Sequence, residues 1–197
     1  MGQELEFKYK LEGHSHYEGL LEYFKGRTSD PWKTTEMLSD YYDTPEMELA
    51  KRQWTLRIRM ENGSGVLTCK TPGTNGARNE WEIPGGSLPT GLMGLVRRGA
   101  PEELMELYEV PMRPICGARF TRRSCMVEYP GGKAELALDR GVLRGRSREL
   151  PFYEMEIEHK SGDEESFRQW CGMVAQELKL TVEPRSKFSR AVELMGV

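Results

Sequence analysis

Charged residues of both signs alternate along several short segments of this chain, and their spacing could bind a polyphosphate together with a metal ion. The first segment carries Glu4, Glu6 and Lys8, and a later one carries Arg57 and Arg59. Arg and Lys bind phosphate oxygens, Arg often through two parallel hydrogen bonds. Glu and Asp hold Mg²⁺ or Mn²⁺ through oxygen. A surface with both kinds of side chain therefore suits a metal-bound triphosphate.

The elements that carry these residues must be β-strands, because the charges recur at every second position. In the first segment Leu5, Phe7 and Tyr9 alternate with the charged residues. The same pattern of one apolar and one charged face recurs at residues 55–60, 67–70, 78–83, 116–123, 135–139 and 153–158.

Apolar residues at helical spacing predict helices on either side of this sheet. The longest such patterns cover residues 17–24 and 167–178, and Ser161 with Glu164 predicts a capping box before the second of them. Shorter helices are predicted at 46–52, 88–98, 102–108 and 185–195.

Like charges two residues apart distinguish this sheet from an ordinary solvent-facing one. Such pairs occur at Glu4 and Glu6, at Arg57 and Arg59, and at Glu154 and Glu156. An open sheet with a solvated polar face stays an alternative on alternation alone. The arrangement that suits a ligand is an antiparallel β-barrel tunnel of about eight strands with a charged interior and helices packed on the outside. We therefore predict an α+β fold in one domain, residues 1–197.

The order of these segments resembles that of the CYTH superfamily, also called triphosphate tunnel metalloenzymes. Glu4-x-Glu6-x-Lys8 resembles its E-x-E-x-K signature. The later matches are residues 41–45, Arg57-x-Arg59, Lys70, Glu80, Arg123, Asp139, Glu154-x-Glu156 and Ser186-Lys187. The resemblance implies an eight-stranded tunnel and the hydrolysis or cyclisation of triphosphate-containing substrates with Mg²⁺ or Mn²⁺.

The resemblance also implies a role for each matched residue. Glu154, Glu156 and Lys8 are the candidate catalytic residues, and Glu80 would order the basic side chains or add to a metal site. Glu158, Glu82 and Glu135 are ranked lower, the last two as solvated rim charges. Phosphate ligands would be Lys8, Arg57, Arg59, Lys70, Arg123 and Lys187, with Arg119 added because it alternates with Arg123. Metal ligands would be Glu4, Glu6, Asp139, Glu154 and Glu156.

The activity predicted from these residues is metal-dependent hydrolysis of triphosphates, with inorganic tripolyphosphate as the leading substrate and nucleoside triphosphates as further candidates. Three alternatives stay open: an adenylate cyclase of the fourth class, a thiamine triphosphatase, and a non-catalytic module that binds polyphosphate or nucleotide. The thiamine branch would have a tryptophan where this chain has Thr55, while Trp54 falls on the apolar face.

Composition limits the partners and the compartment. The formal net charge is −3, from 28 basic and 31 acidic residues, so no charge excess points to nucleic acid or to a membrane surface. The four cysteines form no C-x-x-C pair, which favours reduced thiols. We predict a cytoplasmic protein with a small triphosphate as its partner, either a monomer or a homodimer.

Overall fold

The computed structural model describes residues 2–3, 5–73 and 78–196, with side chains from Leu5 onwards. Glu4, one of the predicted metal ligands, lies outside the described residues. The chain forms an antiparallel sheet flanked by helices, so the predicted α+β class is confirmed.

The sheet has ten strands in the described part of the chain, and each pairs with its neighbours in antiparallel register. The strands are β1 (Gly2–Gln3), β2 (Glu6–Lys10), β3 (Lys33–Asp43), β4 (Thr55–Glu61), β5 (Ser64–Pro72), β6 (Arg78–Pro84), β7 (Arg113–Tyr129), β8 (Gly132–Gly145), β9 (Arg148–Gly162) and β10 (Thr181–Val182). Their order across the sheet is β1-β6-β5-β4-β3-β7-β8-β9-β2-β10. Among the described residues, eight strands have five residues or more and two have only two.

Among the residues that the structure describes, the hydrogen-bonded order has two free ends, so the predicted closed barrel is corrected to a sheet that curls without a closed ladder. At one end β1 pairs with β6, and at the other the two-residue strand β10 pairs with β2, which in turn pairs with β9. Gln3 and Glu6 are three residues apart, so their Cα atoms can be separated by at most about 11 Å. The N-terminal segment therefore holds the two ends of the sheet close together.

The helices lie where the apolar spacing predicted them, with two corrections. The helices are α1 (His14–Tyr23), α2 (Glu48–Lys51), α3 (Leu88–Arg97), α4 (Glu164–Glu177) and α5 (Lys187–Glu193). The segment Glu102–Leu107 is a 3₁₀ helix, and the predicted capping box at Ser161 is wrong because β9 continues to Gly162. Asp163 caps α4 instead, where its carboxylate accepts a 2.7 Å hydrogen bond from the Ser166 amide.

The helices cover the apolar face of the sheet, as predicted, and leave the charged face inside. One core joins α1 and α4 to the outer face of β2, β8 and β9, with Tyr9, Leu136 and Ile157 at its centre. A second core lies beneath α3, where Gly91 lets the helix approach closely. A Cβ atom at Gly91 would come within 2.3 Å of a Leu67 methyl group.

The last helix, α5, differs from the others because it reaches the inner face. Its residue Ala191 packs with Leu143 and Phe152 in a third core, while Lys187 and Phe188 line the interior cavity. Ser186 caps this helix and accepts a 3.0 Å hydrogen bond from the Ser189 amide. None of the helices in the described ranges is both long and apolar enough to cross a membrane.

We expect Leu136→Ala to lower the free energy of unfolding by about 2–5 kcal/mol, because it opens a cavity in the core shared by α1 and α4. Denaturant unfolding followed by circular dichroism measures this loss. Leu150→Ala is the matched control, since that side chain is 45% exposed. Equal losses for the two variants would contradict the assignment of this core.

Candidate active site

The charged face of the sheet encloses a cavity of about 750 Å³. Its lining is dominated by side chains of opposite charge from β2 to β9 and from α5. The basic residues are Lys8, Lys33, Arg57, Arg59, Lys70, Arg78, Arg122, Lys160 and Lys187. The acidic residues are Glu6, Asp30, Glu61, Glu80, Glu82, Glu135, Glu156 and Glu158. The interior charge that the alternation predicted is therefore present.

Most of the predicted site residues are brought together by this cavity. Asp139 and Glu154 do not line it directly but lie fully buried beside Glu156. Glu82 and Glu135, predicted as rim charges, belong to the lining as well. The predicted residues that line the cavity are Glu6, Lys8, Arg57, Arg59, Lys70, Glu80, Glu156 and Lys187.

Two predicted phosphate ligands on β7, Arg119 and Arg123, lie on the outer face of the sheet. Arg119 is exposed on the outer surface, and the Arg123 guanidinium lies 5.8 Å from the centre of the Trp32 ring at a separate outer cavity of about 370 Å³. The inner face of β7 instead carries Phe120 and Arg122. Side chains alternate along a strand, so Arg119 and Arg123 share the outer face with Cys125, which packs beneath α1.

Three carboxylates meet at the floor of the cavity, and we call Asp139, Glu154 and Glu156 the carboxylate triad. Asp139 on β8 is paired in register with Glu154 on β9, and Glu156 follows two residues later on the same face. One ligand oxygen from each residue lies within 4.8 Å of the others. Asp139 and Glu154 are 0% exposed, so these charges need compensation.

Lys187 provides part of that compensation from α5. Its ammonium lies 2.8 Å from Asp139 Oδ2 and 2.8 Å from Glu156 Oε1, and it also contacts Glu154. The same ammonium lies 5.0 Å from the centre of the Phe120 ring, within the range of a cation–π interaction. Lys187, predicted as a phosphate ligand, is thus held by the carboxylate triad in this structure.

Two arginines complete the compensation, and neither was among the predicted site residues. Arg122 donates two hydrogen bonds to Asp139, at 2.8 and 2.7 Å, and contacts Glu156. Arg190 contacts Glu154 from the next turn of α5. The spacing of Lys187 and Arg190, three residues apart on a predicted helix, was a signal that they share a face.

This network shifts the pKa values of Glu154 and Glu156 in opposite directions. Burial raises the pKa of Glu154, because Lys187 only partly offsets the lost hydration. Burial acts on Glu156 in the same direction, but Lys187, Arg122 and Lys8 outweigh it and hold its pKa well below its usual range. Glu156 therefore stays ionised at the cavity wall. Burial opposes the charge on Lys187, yet the three carboxylates raise its pKa.

A second group of charges lies across the cavity on β4, β5 and β6. Glu80 Oε2 lies 3.1 Å from the Lys70 ammonium, and Glu80 Oε1 lies 3.9 Å from Arg57. Glu82 lies 3.6 Å from both Arg57 and Arg59. Burial, followed by repulsion from Arg57, lowers the pKa of Arg59. An anion placed between these cations would relieve that repulsion.

The donor atoms of the carboxylate triad fit a hard divalent cation. All three are carboxylate oxygens, the ligands that suit Mg²⁺ and Mn²⁺. Glu6, also predicted as a metal ligand, lines the cavity opposite Glu158 in register, outside the triad. Thr55 lines the cavity whereas Trp54 packs in the core beneath α3, so the aromatic ring expected of the thiamine branch is absent at this position.

A curled antiparallel sheet whose interior holds opposed cations and a carboxylate triad defines a tunnel-type fold. The chain belongs to the CYTH domain family, whose family model matches residues 2–191. It is 30% identical over 194 residues to the inorganic triphosphatase of Haemophilus influenzae, an alignment that covers 96% of this chain and 54% of that protein. The chain thus spans about half the length of the curated relative that it matches.

Solved structures agree on the fold. A proposed adenylate cyclase from Bacillus halodurans superimposes with a TM-score of 0.62 at 19% identity, covering 94% of this chain and 96% of the other. A proposed adenylyl cyclase from Hippeastrum, described as having a dominant triphosphatase activity, gives 0.60 at 19% identity, with 94% and 93% covered. At these identities the likeness concerns the fold.

We expect Arg122→Ala to lower the free energy of unfolding by about 3 kcal/mol, because it leaves the buried Asp139 carboxylate without its paired guanidinium. Arg123→Ala, one residue away on the outer face, is the matched control and should cost less than about 1 kcal/mol. Urea denaturation of both variants measures the difference. Equal losses of unfolding free energy, or a larger loss for Arg123→Ala, would contradict the assignment of Arg122 to the inner face.

Proposed function

We propose that this chain is a divalent-metal-dependent hydrolase of triphosphates, with inorganic tripolyphosphate as its main substrate. The observation that carries the proposal is one cavity whose lining joins Arg57, Arg59 and Lys70 with Glu156, the member of the carboxylate triad that reaches the interior. Cations on one side and clustered carboxylates on the other are what a metal-bound triphosphate requires. The name of the Haemophilus influenzae relative supports this substrate class.

The basic side chains would bind and align the phosphate chain. Arg57 and Arg59 present two forked guanidinium groups from one strand. Glu80 pairs with both Arg57 and Lys70 and so keeps the lysine close to the two arginines. Lys8 lies next to Glu156 in strand register and would contact the phosphate nearest the triad. Aligning the chain and neutralising its charge supply most of the catalysis in phosphoryl transfer.

The carboxylate triad would hold Mg²⁺ or Mn²⁺, with Glu156 as the member that lines the cavity. When bound, such an ion neutralises phosphate charge and acidifies a bound water. Glu156 would orient the attacking water, because it reaches the cavity and its pKa keeps it ionised. Glu154, a candidate catalytic residue that is fully buried and held by Arg190, would fix the position of the site and supply one of the metal's carboxylate ligands.

Two further features belong to the proposal. The four cysteines are all buried free thiols, which suits the reducing cytoplasm. Hydrolysis is favoured over binding alone because Glu156, an ionised carboxylate, lines the cavity and could orient an attacking water.

We expect the purified chain to release phosphate from tripolyphosphate with Mg²⁺ or Mn²⁺ and to lose this activity when EDTA removes the metal. Phosphate release in a panel of tripolyphosphate, ATP, GTP and thiamine triphosphate ranks the substrates. Cyclic AMP appearing from ATP would indicate a cyclase instead. Tight tripolyphosphate binding without release under either metal would contradict hydrolysis.

We expect Arg57→Ala and Arg59→Ala to reduce kcat/KM for tripolyphosphate by about 10²-fold or more, because each removes a cation that neutralises charge developed in the transition state. Arg119→Ala is the matched control, since its side chain lies on the outer surface. The control should keep its rate. A comparable loss in all three variants would contradict the assignment of the inner face.

A further inference from the structure

The Lys187 ammonium lies at the centre of the carboxylate triad. It contacts Asp139 and Glu156 at 2.8 Å each and touches Glu154 as well. These are the same oxygens that fit a divalent cation. Carboxylate oxygens bind Mg²⁺ at about 2.1 Å, so an ion and this ammonium cannot share one set of ligands.

The charge balance of the network also disfavours binding a divalent ion and the Lys187 ammonium at the triad at the same time. The three carboxylates contact three cations, namely Lys187, Arg122 and Arg190, and Lys8 and Glu183 add one further charge of each sign beside them. A divalent ion added to this balanced group would leave two positive charges in excess at a buried position. Uncompensated buried charge is strongly destabilising, so binding of the ion favours the release of a resident cation, which lowers the excess from two charges to one.

Lys187 is the cation best placed to leave. Arg122 is held by paired hydrogen bonds to Asp139 and by Glu156. Arg190 is 6% exposed, contacts Glu154 and does not line the cavity. Lys187 instead has a flexible four-carbon stem and lines the open cavity. Its ammonium can therefore turn into the cavity without moving α5.

We infer that Lys187 and a divalent cation compete for the carboxylate triad, so that metal binding releases the Lys187 ammonium into the cavity. This inference rests on the metal site of the proposed function. Lys187 keeps the triad neutral before the metal arrives, and afterwards becomes a free cation facing the space where the phosphates bind. Metal binding thereby frees a lysine that can bind the phosphates of the substrate.

Isothermal titration with Mn²⁺, in the absence of any phosphate, tests this competition. Lys187→Met removes the competitor but keeps the apolar stem, so we expect its Mn²⁺ dissociation constant to fall by about tenfold or more. Lys160→Met is the matched control. Lys160 lines the same cavity but pairs with Glu158 at 2.7 Å, about 13 Å along the strand from Glu156. Its affinity should change by less than about threefold.

Equal or weaker Mn²⁺ binding by Lys187→Met would overturn the competition while leaving the metal site intact. No Mn²⁺ binding by the unmodified protein or by either variant would overturn the metal site and, with it, this inference.

A second measurement uses the unmodified protein, so that it does not depend on how the variant folds. Lysine acylation with an N-hydroxysuccinimide ester, followed by mass spectrometry, reports whether Lys187 is accessible. We expect its labelling to rise several-fold on saturation with Mn²⁺, while Lys160 labelling stays constant. Unchanged or reduced Lys187 labelling at saturation would overturn the inference.

Discussion

Three carboxylates and three cations meet at the floor of the cavity, and the rest of the interior depends on their balance. Asp139 and Glu154 have no exposure to solvent, so neither could stay charged there without Arg122, Lys187 and Arg190. Breaking a buried pair costs several kcal/mol, whereas a complete network is tolerated. The strand register that aligns Asp139 with Glu154 is therefore inseparable from the position of α5, which supplies two of the three cations.

The same balance explains how one cavity can accept both a metal and a polyanion. Burial, followed by repulsion from Arg57, lowers the pKa of Arg59, and Glu82 offsets this only in part. On the other side of the cavity, the carboxylate oxygens that would bind a metal are in contact with Arg122, Lys187 and Arg190. Each side is thus stabilised by an ion of opposite sign, and a metal-bound triphosphate offers both.

Much of this arrangement could be predicted from the sequence, because period-two alternation of charged and apolar residues has few structural solutions. The alternation correctly predicted that Lys8 on β2, Arg57 on β4 and Glu156 on β9 lie on the inner face. The prediction failed on β7, where Phe120 faces inward and two adjacent arginines face opposite ways. The apolar residues Cys125, Val127 and Tyr129 share the parity of Arg123, and they marked the outer face.

Other features were beyond local pattern. The partners of Lys187 are more than 30 residues away in the chain, so only the folded register brings its ammonium to the triad rather than to a phosphate. Likewise, alternation could not decide whether hydrogen bonds close the sheet into a barrel, since that depends on where a short N-terminal segment pairs.

The charged cavity is tested most directly by anomalous X-ray diffraction from crystals soaked with Mn²⁺ and tripolyphosphate. We predict a manganese peak at the carboxylate triad and phosphate density against Arg57, Arg59 and Lys70. Phosphate bound at Arg119 and Arg123 on the outer surface, with no manganese inside, would contradict the proposed site.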